Sequence, residues 1–152
     1  SGVLAHLGTV EHTIGRASLH DIMIEVPEVL QRHGYAIYEN RPTGSTLYIE
    51  TGWQERAPFD DEVEEGIEYA RTRFIARGRK AGPATYTLTI SAENQVRAPA
   101  DSAPEIAVRP ATGWSTMAPT SMYKAYVQEI TTEIEMKVAA GVRTYGLSLD
   151  TP

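Results

Sequence analysis

The chain has 152 residues and a formal net charge of −6, with 41% hydrophobic and 22% charged residues. This composition is typical of one folded domain, and a chain of this length buries enough apolar surface to fold without a metal ion or a disulfide. The absence of cysteine excludes disulfides, zinc–thiolate centres, iron–sulfur clusters and cysteine nucleophiles. The acidic balance argues against a protein whose main task is binding nucleic acid or an anionic bilayer, because both require clustered cations.

Two further features concern the setting of the protein. The chain begins at Ser1 rather than at methionine, which fits the removal of a leader segment and a trimmed start equally well. No run of about 18 apolar residues occurs, so we expect no membrane-spanning segment in these residues.

The first predicted elements are a short strand and an amphipathic helix. Residues Thr9–Ile14 predict the strand, and the apolar residues that follow Ser18 recur at the spacing of one helical face. Ser18 is a suitable N-cap, and Gly34 is placed to end the helix. Proline inside a helix removes one backbone hydrogen bond, so at Pro27 we expect either a kink or the start of a separate helix.

Alternating polar and apolar residues between positions 35 and 92 predict antiparallel strands with one solvated face. The predicted strands are Tyr35–Glu39, Ser45–Trp53, Ile67–Arg77 and Ala84–Ala92. An acidic loop is expected between the second and third of these strands, and a turn at 78–83 is expected to join the third to the fourth.

Residues 94–120, the Pro-rich arm, contain four of the nine prolines. Proline has no amide donor and a fixed φ, so the arm is predicted to be extended and to cross the surface. Its apolar residues indicate that it packs against something; they are Ile106, Val108, Trp114 and Met117. A second amphipathic helix is predicted to begin at Thr120 or Ser121 and to end at Gly141.

These elements predict one α+β domain over residues 1–152. Its expected architecture is a two-layer sandwich, in which an antiparallel sheet of four or five strands is packed by two helices.

No motif for catalysis or for a cofactor is found. The chain lacks a G-x-S-x-G nucleophile motif, a P-loop and a G-x-G-x-x-G loop. His6, His12 and His20 are six and eight residues apart, which matches neither an i,i+4 metal pair nor H-E-x-x-H. We therefore expect no catalytic residues, no cofactor and no metal site.

The acidic run at 60–68 is interpreted as a solvated loop, with calcium binding as the alternative. Alternate carboxylates at Asp60, Glu62 and Glu64 could face a hard cation. An EF-hand loop needs glycine at its sixth position and glutamate at its twelfth, whereas Gly66 is seventh and Arg71 is twelfth.

The basic residues Arg71, Arg73 and Arg77 alternate on a predicted strand and should share one face, opposite Phe74. Cross-strand ion pairs on a solvated face are the favoured interpretation. Binding of an acidic protein partner is the first alternative, and binding of nucleic acid is the second.

Three short segments resemble a pattern that is common in small bacterial envelope proteins, often lipoproteins. The segments are Arg32–Ile37, Thr43–Leu47 and Thr51–Trp53. They resemble an amphipathic helix that ends in R-x-G-Y, followed by a hairpin with a G-x-I/L-x-T-x-W run. The resemblance covers about residues 18–92 and implies a compact α/β domain without catalysis, accessory to an outer-membrane or periplasmic assembly. A lipoprotein begins at a lipidated cysteine, where this chain has Ser1.

We therefore expect a non-catalytic accessory subunit of a bacterial envelope assembly, periplasmic or at the cell surface and close to the membrane. It would act by protein–protein interaction and not bind nucleic acid. The predicted partner-binding residues lie in the Pro-rich arm and on the basic strand; they are Ile106, Val108, Trp114, Met117, Arg71, Arg73 and Arg77. The alternative is a small-ligand-binding protein or enzyme, with a pocket between the sheet and the helices lined by Tyr38, Tyr48 and Trp53.

Overall fold

The computed structural model describes residues 7–99 and 113–150, with side chains up to residue 139. Its elements, in chain order, are β1 (Thr9–Ser18), α1 (Leu19–Arg32), β2 (Ile37–Pro42), β3 (Thr46–Thr51), β4 (Gln54–Arg56), α2 (Asp60–Glu64), β5 (Tyr69–Gly82), β6 (Thr85–Arg97) and α3 (Ser121–Asp150). The described chain is therefore α+β, as the alternation predicted.

The six strands form one open antiparallel sheet in the order β1-β6-β5-β3-β2, with β4 also paired to β5. The prediction of four or five strands was wrong because β4 has only three residues, too few to show an alternating pattern. The prediction of two helices was also wrong, since part of the acidic run forms the five-residue helix α2. Both additional elements lie in the segment that connects β3 to β5.

Helix α1 begins and ends at the residues that the sequence indicated. The Ser18 hydroxyl accepts a hydrogen bond from the Asp21 amide at 3.1 Å. Gly34 adopts a left-handed φ of +93°, which favours glycine after a helix. The helix runs through Pro27 as one element, so the expected alternative of a helix that starts at Pro27 was wrong. Its core-facing residues compensate for the lost hydrogen bond by burial; they are Ile22, Val26, Val29 and Leu30.

Helix α3 begins at Ser121, as predicted, and the Tyr123 amide donates to the Thr120 hydroxyl at 3.2 Å. It continues to Asp150, so the predicted end at Gly141 was wrong. Glycine inside a helix costs only about 1 kcal/mol relative to alanine, which the rest of a long helix can offset. The helix packs against α1 and β1.

One hydrophobic core joins the two long helices to one face of the sheet. From the sheet it takes alternate residues of the central strands, among them Phe74, Ala76, Leu88 and Ile90. From the helices it takes Ile22, Val26, Val29, Leu30, Tyr123, Val127, Ile130, Ile134 and Val138. The opposite face of the sheet, called the outer face below, carries the intervening residues of β3, β5 and β6.

Candidate functional site

The outer face presents a row of arginines along β5. Arg71, Arg73 and Arg77 occupy alternate positions, and the residue between the last two on this face is Ile75. Phe74 and Ala76 point the other way, into the core. The shared face that the alternation predicted for the three arginines is therefore confirmed. Ile75 is only 2% exposed, because the longer side chains around it cover the centre of the face.

Two tryptophans stack on these arginines. The Arg71 guanidinium lies 4.6 Å from the ring centre of Trp53 and 4.4 Å from that of Trp114. Arg73 lies 4.7 Å from Trp53, and Arg97 lies 4.5 Å from Trp114. We call these five residues the stacked cluster. Each cation–π contact stabilises by about 0.5–2 kcal/mol, depending on how far water is excluded.

The Pro-rich arm contributes Trp114 to the stacked cluster. Ser115 and Val96 exchange two backbone hydrogen bonds of 2.8 Å, which extend the ladder at the end of β6. Gly113 has a φ of +79°, and a Cβ there would meet the Arg97 side chain at 3.3 Å. Only glycine allows this close approach without strain. Trp114 is 7% exposed, so its ring is held by the sheet of its own chain.

The other predicted partner-binding residues of the arm divide into two groups. Met117, three residues after Trp114, is half-buried. Ile106 and Val108 lie outside the described residues. Residues 94–97, counted with the arm in the sequence, belong to β6.

Arg73 of the stacked cluster is paired with carboxylates, and Arg71 is hydrogen-bonded to a neutral amide. Arg73 donates to Glu93 at 2.8 Å and lies 3.6 Å from a carboxylate oxygen of Glu50. Arg71 donates two hydrogen bonds to the Gln95 side chain. Burial lowers the pKa of Arg71, and the neighbouring positive charge of Arg97 lowers it further. The cross-strand pairing expected of the basic strand is thus present at this end of the outer face.

A second group of cations lies toward the other end of β5. The Arg41 and Arg77 guanidiniums lie 5.2 and 5.5 Å from the ring centre of Tyr48. With Arg79 and Lys80 they line a groove of about 930 Å³, which we call the cationic groove. Its other lining residues are mainly uncharged, with Glu11 as the one carboxylate; they include Thr43, Thr46, Thr87 and Thr89.

Strand register separates the charges of the outer face into bands. Tyr48 pairs with Arg41 on one side and Arg77 on the other. The next row across the sheet runs through Glu39, Glu50, Ile75, Ser91 and Glu11. A band of three carboxylates therefore lies between the cationic groove and the stacked cluster. The Tyr48 hydroxyl donates to Glu50 at 2.5 Å, and burial together with this bond raises the pKa of Tyr48.

A buried ion-pair network lies on the core side of the sheet, below α2. Arg56 donates to both carboxylate oxygens of Glu62 at 2.8 and 2.9 Å, to Asn94 at 2.9 Å and to Thr72 at 3.2 Å. The Phe59 amide and the Asn94 side chain also donate to Glu62, at 2.9 and 3.0 Å. Burial alone would raise the pKa of Glu62, but these hydrogen bonds outweigh it and hold the pKa below its ordinary value.

This network changes the interpretation of the acidic run. Glu62 has no exposed surface, so the expected solvated loop was wrong at this position. The sequence pattern indicates Glu62 only as a cation ligand and gives no role to Arg56. The one available signal was an arginine six residues before a carboxylate, which is too common to predict a buried pair.

The three aromatic residues assigned to a ligand pocket do not come together between the sheet and the helices. Tyr48 and Trp53 lie on the outer face, beside Arg77 and Arg73. Tyr38 is 76% exposed. The space between the sheet and α3 instead holds Tyr35 and Tyr126, whose hydroxyl oxygens are 2.6 Å apart. Burial raises the pKa of both phenols.

Comparisons with known proteins and the placement of possible metal ligands give no further functional assignment. No protein-family model and no curated protein matches the chain. Among the described side chains, those of residues 7–99 and 113–139, no group of three or more His, Asp or Glu is placed to hold a metal ion. The helices of that part of the chain lack a stretch both long and apolar enough to cross a membrane.

Proposed function

We propose that this protein is a non-catalytic accessory subunit of a bacterial envelope assembly and binds a protein partner through the outer face of its sheet. The observation that carries the proposal is the set of arginine–aromatic stacks across that face. Arginine, tryptophan and tyrosine are the residues most enriched where protein partners bind tightly.

Preorganisation supports this role. An arginine that binds a partner loses less side-chain entropy if it is already held by an aromatic ring. Arg77 on Tyr48 and Arg73 on Trp53 are both held in this way. The Pro-rich arm would then support the interface, since Trp114 holds Arg71 and Arg97 in place. The remaining surface of the arm would be available to the partner.

The inner face suits a structural role. Its side chains and those of α1 and α3 belong to one core, which supports a two-layer arrangement with the helices as one layer and the sheet as the other. The outer face would then be the side of the sheet that is free to bind. The envelope location rests on the sequence resemblance over residues 18–92.

Photo-crosslinking in the native cell tests this proposal. A benzophenone amino acid is placed at Thr13 or Tyr69, which lie on opposite sides of the carboxylate band, and at exposed Gln128 on α3 as the control. We expect one discrete crosslinked species from an outer-face position, in the envelope fraction, and none from Gln128. Crosslinks from neither outer-face position, or equally from Gln128, would contradict the binding role. Recovery only in the cytosolic fraction would contradict the envelope location.

A further inference from the structure

The cationic groove differs from the stacked cluster in how its charges are balanced. Arg73 in the stacked cluster contacts two carboxylates, Glu93 and Glu50. Among the described residues, Arg77, Arg79 and Lys80 make no ion pair with a carboxylate, and Arg41 has one long contact of 3.6 Å to Glu39. Lys80 lies opposite Tyr86 of the core, so its side chain alternates to the other face of β5. In a chain of net charge −6, the guanidiniums of Arg41, Arg77 and Arg79 leave a local positive field on the outer face.

The spacing of these cations indicates the shape of an anionic ligand. Arg77 and Arg79 are two residues apart on the same face of β5, which places them about 6.6–6.8 Å apart along the strand. Arg41 lies two strands away from Arg77, with Tyr48 between them, a backbone separation of roughly 10 Å. An extended peptide repeats its side chains on one face at the same 6.6–6.8 Å or so.

The boundary of the groove argues against a long polyanion. Glu11 is part of its lining, and the band formed by Glu11, Glu39 and Glu50 crosses the sheet on the side away from Arg79. A nucleic acid or a polysaccharide sulfate extends its charge in both directions and would meet this band. A short acidic peptide places a few carboxylates on the cations, and its uncharged residues can lie on the threonines.

We infer that the cationic groove binds a short acidic peptide segment of the partner in an extended conformation. Two of its carboxylates, in a Glu-x-Glu spacing, pair with Arg77 and Arg79, and a third contacts Arg41. Guanidinium groups suit this role because each can bind a carboxylate through two parallel hydrogen bonds. The inference rests on the proposed partner-binding function and names the chemistry that the outer face recognises.

Fluorescence anisotropy with synthetic peptides tests the inference on the full chain. The probe carries two Glu-x-Glu repeats. One control peptide has the same composition with its glutamates adjacent, and another has glutamine in place of glutamate. The groove variant is R77Q/R79Q. The matched control is K124Q/K137Q, which removes the same charge from exposed positions on α3. Circular dichroism and a thermal melt verify that both variants fold.

We expect the Glu-x-Glu probe to bind at least about ten-fold more weakly to R77Q/R79Q, and within about two-fold of wild type to K124Q/K137Q. A ten-fold change corresponds to ~1.4 kcal/mol. The adjacent-glutamate peptide should bind more weakly than the probe, and the glutamine peptide should not bind. Raising the ionic strength to about 0.15 M should weaken binding, because these charges are exposed.

Three results would overturn the inference. The first is that the probe does not bind at low salt. The second is that both variants lose the same amount of affinity for the probe. The third is that the protein binds heparin or phosphatidylglycerol vesicles but does not bind the probe. The proposed function has a separate outcome. Crosslinking at Tyr69 with no probe binding would mean that a partner uses the outer face elsewhere, whereas no crosslinking would reject the function itself.

Discussion

Arginine occupies three different environments in this molecule, and each has a different consequence. Arg56 is buried and paired with Glu62. Arg71 is stacked between two tryptophans. Arg77 lines an open groove and touches a single ring. Because the guanidinium is planar and always charged, its surroundings decide whether it acts as a structural link, a stacked support or a binding group.

The buried pair should be the most sensitive point of the fold. Arg56→Met leaves the Glu62 carboxylate buried without its main partner, so we expect a loss of about 3–5 kcal/mol in the free energy of unfolding. The double variant Arg56→Met/Glu62→Leu removes both charges and should be less destabilised than Arg56→Met alone. Urea denaturation measures both values.

The control for this pair is Arg16→Met, an exposed position on β1, which should change the stability by no more than about 0.5 kcal/mol. A double variant that is destabilised as much as Arg56→Met, or more, would contradict the expected cost of the unpaired Glu62 carboxylate.

At the scale of elements, the long hairpin of β5 and β6 organises both faces of the sheet. The two strands pair over almost their whole length, from Tyr69 opposite Arg97 to Gly82 opposite Thr85. Inward residues build the core, and outward residues build the stacked cluster and the groove. The position of β3 against β5 therefore sets both the packing of Leu47 and the placement of Tyr48 beside Arg77.

Gly78 tests this coupling between the strands. A Cβ added there would lie 2.6 Å from Leu47 Cγ, so Gly78→Ala should force β3 and β5 apart. We expect a loss of roughly 1–3 kcal/mol by overpacking, measured by thermal or urea unfolding. Gly82→Ala, on the same strand with no atom within 4 Å of the added Cβ, is the control. An equal effect of both substitutions would assign the loss to backbone conformation rather than to the contact with Leu47.

Side-chain contacts link the end of α1 to α3. Arg32 and His33, at the end of α1, both contact Glu133 on α3, the His33 contact at 2.9 Å. The hydrogen bond with His33 and the pairing with Arg32 lower the pKa of Glu133. These groups are partly exposed, so the contact should stabilise by no more than about 1 kcal/mol.

For the molecule as a whole, the lowered carboxyl pKa values predict sensitivity to acid. Glu62 and Glu133 both stay ionised to a lower pH in the folded chain than in the unfolded chain. The unfolded chain therefore binds more protons in acid. The contribution of these two carboxylates to the free energy of unfolding is fully present above the ordinary carboxyl pKa of about 4.3. It is lost as the pH falls below that value.

Glu62→Gln should flatten this dependence. We expect the free energy of unfolding of wild type to fall as the pH decreases from about 5, and the variant to fall less steeply from a lower starting value. Urea unfolding at a series of pH values measures the slope. Glu64→Gln, at an exposed position of α2, should keep the wild-type slope. A wild-type slope in Glu62→Gln would mean that other groups control the acid sensitivity.

The amino-acid sequence by itself determined the elements with a long repeating pattern. Period-2 alternation indicated an antiparallel sheet and placed Arg71, Arg73 and Arg77 on one face. A cap residue indicated where α1 begins, and a helical stripe indicated α3. These are local properties, since a strand exposes alternate residues to opposite sides whatever its partner is.

Only the tertiary structure decided which charges are neutralised. Glu62 is buried because Arg56 of β4, Asn94 of β6 and the Phe59 amide just before α2 all donate to it. Arg73 is neutralised and Arg77 is not because the register places Glu93 opposite the first and Thr89 opposite the second. Trp114 lies on the sheet because its backbone pairs with Val96 through Ser115. Apart from those of Arg56 and Phe59 with Glu62, these contacts join residues far apart in the chain, so local patterns of polarity do not encode them.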